Sequence, residues 1–134
     1  MRPAVTRGLF APDSITRLVL HALAAALLSG VLLGVLNSTF RLPVASGLYL
    51  LAAPGVTAVI AALYFRRPGA AEPLVAALSF TAVAAGLDLA MATISRGTVD
   101  LVDPAIGFGL PLIFVFGATG LTGELIPQLR RRQT

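Results

Sequence analysis

A chain of 134 residues that is 57% hydrophobic and only 12% charged, with a mean hydropathy of +0.89, falls outside the range of water-soluble domains and inside that of membrane proteins. It has no cysteine, which excludes disulfides, thiolate metal sites and dithiol redox chemistry. All ten basic residues are arginine and the net charge is +4, but the arginines lie almost wholly outside the apolar runs, so they read as topology signals rather than a nucleic-acid surface.

The lead-in holds Arg2, Arg7 and Arg17, with Pro3 and Pro12 opposing an early helix and Asp13 or Ser14 placed to cap one. The apolar run from Leu18 to Leu36 exceeds the roughly 7 to 15 residues of a signal-peptide core, which predicts a retained first span over about 17–38. Ala22, Ala26, Gly30, Gly34 and Ser38 recur every fourth residue, a ridge of small side chains where another backbone can approach closely. Ala26, Gly30 and Gly34 are therefore the expected helix-packing residues, against the neighbouring helix ahead of a second copy of the chain.

A tight connection, Asn37 to Pro43, leads to a second span over 44–65 that ends in Tyr64, Phe65, Arg66 and Arg67, an aromatic edge followed by charge. Pro54 near its middle lacks the N–H that would bond the Leu50 carbonyl, so a kink is expected there. The third span, 73–95, opens at Pro73 after a Pro-Gly turn. On it Thr81, Asp88 and Ser95 recur every seven residues beside Ala77, Ala84, Ala85 and Ala92, while Phe80, Val83, Leu87 and Ile94 lie opposite. The small and polar seam is expected to face protein and the bulky side lipid. Asp103-Pro104 starts the fourth span, 104–126, in which Pro111 is the second expected kink.

These spans each match a hydrocarbon core about 30 Å thick and predict an all-α, four-helix membrane bundle forming a single domain over 1–134. With the N-terminus inside, Arg2, Arg7, Arg17, Arg66, Arg67, Arg130, Arg131 and Arg132 share one side, and only Arg41 and Arg96 the other. The asymmetry predicts that both termini face the cytoplasm of a multi-pass protein of the cell membrane.

Asp88 is the one acid deep inside a span, Glu124 lying two residues from the end of the fourth, and it costs about 2.5 to 3.5 kcal/mol on insertion scales. The Leu, Ile, Val and Phe residues of its helix contribute on the order of −4 kcal/mol, so the span inserts without special machinery. At about 1.5 Å per residue, Asp88 lies roughly 6 Å beyond mid-span and His21 roughly 9 Å to the other side of its own, too far apart for a direct pair. The same arithmetic puts Tyr49 and the region of Pro111 at the level of Asp88. Asp88, Tyr49, Thr81 and Ser95 are thus the candidate residues of a proton- or cation-binding site, or of a hydrogen-bonded structural one. One histidine, no cysteine and no second acid deep in a span provide neither a catalytic triad nor a paired-carboxylate site, so no enzyme, metal or cofactor is expected.

Small multidrug transporters are similar in size but carry a glutamate in the first span, where this chain has His21 and alanines. The pairs Leu87-Asp88 and Thr122-Gly123, with Thr119-Gly120 just before, resemble those of small bacterial four-span inner-membrane proteins of unassigned function, over the second half of the chain. That resemblance implies no activity. The expected role is accessory or interactive, with the lipid bilayer, the chain itself or another membrane protein as partner and no nucleic acid; the alternative is a small proton- or cation-coupled transporter subunit centred on Asp88.

Overall fold

The computed structural model describes residues 12–94 and 109–132, with side-chain surroundings for all of these but 12, 42, 92–94 and 130. They form four helices and, among the described residues, no strand: α1 (Pro12–Thr39), α2 (Leu42–Phe65), α3 (Pro73–Ile94) and α4 (Leu110–Arg131). The shortest have 22 residues, about 33 Å of helix, and all four are long and apolar enough to cross a bilayer. Leu51 is 80% exposed and Ile113 and Leu89 are 66% exposed, outward faces that suit lipid and not water. The chain is a small integral membrane protein.

Local chemistry sets the helix ends. The Ser38 and Thr39 hydroxyls donate to the Val35 carbonyl at 2.8 and 2.9 Å, closing the last turn of α1. Arg41 is extended, and its carbonyl accepts from the Val44 and Ala45 amides at 3.0 Å, with Pro43 in the first turn, where a missing N–H costs nothing. After α2 the chain turns at Gly69, whose φ of +78° is the left-handed conformation that glycine adopts without a Cβ penalty.

The boundaries differ from expectation at two places. α1 begins at Pro12, ahead of the expected 17, and α4 runs past 126 through Pro127 to Arg131. Pro127 removes a single hydrogen bond, and the arginines beyond it complement the negative end of the helix dipole. Residues 104–108 of the expected fourth span lie outside the described residues.

Each helix packs chiefly on two others: α1 on α2 and α3, and α4 on α2 and α3. Around the bundle the order is therefore α1, α2, α4, α3, with α1 beside a parallel α3 and α2 beside a parallel α4. Arg17 near the start of α1 approaches Gly69, and Gly123 of α4 sits against Phe65 and Pro73, so these segments share one end, the arginine-rich end. That end holds the core: Leu18, Ala22, Ala25, Ala61, Tyr64, Phe65, Ala76 and Phe80. Tyr64 stacks edge-on against Phe65 at 5.2 Å and His21 at 5.5 Å between ring centroids.

Phe80 corrects the expected orientation of α3. It is 1% exposed, at the centre of the core, and Val83 packs against the same cluster, although both were expected to face lipid. The reason is volume. Ala22 and Ala25 of α1 and Ala61 of α2 leave a space between helices that an alanine on α3 would not fill, and the phenylalanine ring does.

Candidate functional site

Beyond the core, towards the end opposite the arginines, the inward residues become small and no ring fills the gap. α1 presents Ala25, Ala26, Ser29 and Gly30, and α3 presents Ala84 and Asp88. The result is a cavity of about 190 Å³, floored by Phe80 and closed by Leu33, Met91 and, from α4, Pro111, Leu112 and Val115. A single water needs about 10–15 Å³ by this measure, so the space takes a small solute or several waters. Most of the lining is apolar, and the polar side chains on it are Ser29, Tyr49, Thr57 and Asp88, one each from α1 and α3 and two from α2.

The structure thus brings Asp88 and Tyr49, half-buried both, to one space, with Pro111 on its rim. Thr81 does not join them. Its hydroxyl donates to the Ala77 carbonyl of its own helix at 2.8 Å, a bond that satisfies a polar group within an apolar span without any partner helix. Ser95 lies outside the described residues. α2 continues unbroken through Pro54, and Pro111 stands in the first turn of the described α4, so the Gly107 carbonyl opposite it is also outside them.

Ser29 and Thr57 were not foreseen as site residues. The signal for Thr57 is a four-residue repeat along α2: Ala45, Tyr49, Ala53, Thr57, Ala61 and Phe65, all buried but the half-buried Tyr49. Ser29 continues the inward line of Ala22 and Ala25 on α1. The small-residue ridge of α1 divides. Ala22 is buried and Ala26 lines the cavity, but Gly30 and Gly34 are exposed, and a Cβ built on either meets no atom within 4 Å. The expectation that both glycines pack against a neighbouring helix of this chain is corrected: the alanines two turns earlier already set the approach of α2 and α3, which leaves Gly30 at the edge of the cavity and Gly34 on the open side of α1.

His21 Nδ1 lies 2.7 Å from the Arg17 carbonyl, an acceptor only, so Nδ1 carries the proton and donates along the helix. It belongs to the arginine-rich end and not to the cavity. Among the described residues no group of three His, Asp or Glu side chains has metal-binding spacing. Compared with protein-family models, curated proteins and solved structures, the chain finds no match.

Proposed function

We propose that this protein binds a small solute or cation in the cavity between its helices and exchanges a proton or cation at Asp88, as a small transporter or the subunit of one. The observation that carries the reading is the shared cavity: an intramembrane carboxyl, a phenol and two hydroxyl-bearing side chains border one space of about 190 Å³. An acid needed only to fix helix register gains by having protein packed round it, whereas this one borders an open volume. The apolar remainder of the lining suits a ligand with a hydrophobic body, oriented by few polar contacts. On this reading the chain is not an enzyme. The arginine-rich end lies in the cytoplasm of a bacterial cell, and the cavity lies in the outer half of the membrane.

The test is flux in vesicles reconstituted with the purified protein. Asp88→Asn keeps the size of the side chain and removes its titratable group, so pH-dependent solute or cation flux should vanish while the far-ultraviolet circular dichroism stays that of the parent. Equal flux in both proteins rejects the reading.

A second reading, an accessory protein that docks on another membrane helix, is favoured by Gly30 and Gly34. Gly34 exposes backbone on the outer face of α1, with Gly30 one turn before it at the cavity's edge, and a partner helix, or a second copy of the chain, approaches there without displacing any side chain.

A further inference from the structure

The polar groups on the wall of the 190 Å³ cavity are not gathered round one point. Tyr49 and Thr57 both line it from α2, eight residues and so about 12 Å apart along the helix, and Asp88 and Phe80 have the same spacing on α3. The oxygens round a bare calcium or magnesium ion lie about 2.0–2.6 Å from it, so two of them are never more than about 5 Å apart. The wall is therefore not a cage for such an ion, which needs about six oxygens at one level. Most of the remaining wall is apolar, alanine above all.

Among the described residues no basic side chain lines the cavity, so the wall offers Asp88 no countercharge. A carboxyl in an apolar span is then neutralised by a proton or by a cation from outside. A cation that carries its own apolar body satisfies the acid and the alanines together. Its N–H groups donate to the carboxylate in charge-assisted hydrogen bonds, and Tyr49 adds a hydroxyl acceptor and an aromatic ring, the other two groups that hold ammonium ions. Size agrees. A cavity of about 150 Å³ lined by aliphatic and aromatic side chains admits benzene, and this one is somewhat larger.

We infer that the cavity takes an organic ammonium ion, with its charged nitrogen at Asp88 and Tyr49 and a compact apolar body, about the size of one aromatic ring, against the alanines. The inference rests on the proposed function and names the substrate class of that site. Ammonium on the carboxylate and proton on the carboxylate leave the occupied cavity with the same net charge, so one replaces the other without a second countercharge.

Calorimetric titration of the full chain in neutral detergent micelles tests it, with phenethylammonium, its uncharged analogue phenethyl alcohol, methylammonium and sodium as probes and protein-free micelles as the blank. Phenethylammonium should bind the parent and weaken roughly tenfold to a hundredfold in Asp88→Asn, the worth of a hydrogen bond to a charged group. Phenethyl alcohol should bind the parent about tenfold more weakly than the ammonium and equally in both proteins. Ala84→Leu fills the cavity, keeps the acid and should weaken phenethylammonium about tenfold. Should that variant fail to fold, methylammonium carries the size arm in the parent: without the apolar body it should bind at least about tenfold more weakly, since each buried methylene is worth about fourfold. Equal affinity for the alcohol and the ammonium, or for methylammonium and phenethylammonium, overturns the inference. Sodium binding that is lost in Asp88→Asn, without ammonium binding, also overturns it but leaves cation exchange at Asp88 standing. Equal flux in parent and Asp88→Asn vesicles, by contrast, rejects the transport reading and leaves a measured ammonium site in place.

Discussion

Among the described glycines, Gly123 is the one with least room. A Cβ placed there would lie 2.7 Å from Phe65 Cζ and 2.8 Å from Pro73 Cβ, an aromatic ring and a proline ring, neither of which gives way as the end of a long chain does. Gly123→Ala should therefore destabilise the protein by about 1–3 kcal/mol, the usual cost of overpacking, while Gly34→Ala, in open space, should stay within about 0.5 kcal/mol. Denaturation in mixed micelles followed by circular dichroism measures both. Equal stability in the two would mean that α4 does not approach α2 and α3 so closely. The Thr-Gly pairs of α4 were legible in the sequence as short motifs, but their reason was not. Thr119 is fully buried and Gly123 is a contact point between three elements, facts that depend on which helices α4 meets. Asp88 and Tyr49 are the opposite case. Counting residues from the ends of two spans was enough to put them at one depth, because helical rise is fixed. Thr81 shows the limit of the same arithmetic, since sharing a seven-residue repeat with Asp88 did not prevent its hydroxyl from bonding to its own backbone.

At the scale of the helix, α1 presents two different edges. Ala22 and Ala25 are consumed in the core, and the exposed Gly30 and Gly34 lie on the same helix two to three turns further on. If that stretch meets another helix, Gly34→Leu should change the crosslinked species recovered from the membrane without altering the melting of the purified chain; an unchanged crosslinking pattern would leave lipid as its only neighbour. Gly34 is the cleaner choice of the two, because Gly30 also borders the cavity. The rotation of α3 departs from its polarity pattern for a reason that belongs to this scale. Polarity and side-chain size do not sort the same way on this helix, because lipid is as apolar as a core and gives no preference between small and bulky residues. What decides is the volume left by neighbours, and the alanines of α1 and α2 leave enough for Phe80. The alanine-rich repeat of α2, read on its own, would have marked that space.

For the whole molecule, the number of spans and their approximate limits followed from composition and hydropathy, since a bilayer accepts only segments of a certain length. The order of the helices did not follow. A chain of four spans joined by short links closes equally well with every neighbour antiparallel, and here α1 instead packs beside the parallel α3. The disposition of the ends is open to a direct measurement, made simpler by the absence of native cysteine. A cysteine introduced at Thr6 and one introduced at Gln133 should both react with a membrane-impermeant maleimide only after cells are opened, and one at Thr98 should react in intact cells. Reaction of the first two from opposite faces would require an odd number of crossings and would dismantle the bundle.

The bundle's cohesion is lopsided. Aromatic rings and alanines lock the four helices together where the arginines are, and beyond Phe80 the described residues surround a cavity of about 190 Å³. The side chains of Tyr49 and Asp88 border the part of the bundle that its own residues leave unfilled, so a ligand that entered there would be contained without displacing the aromatic core.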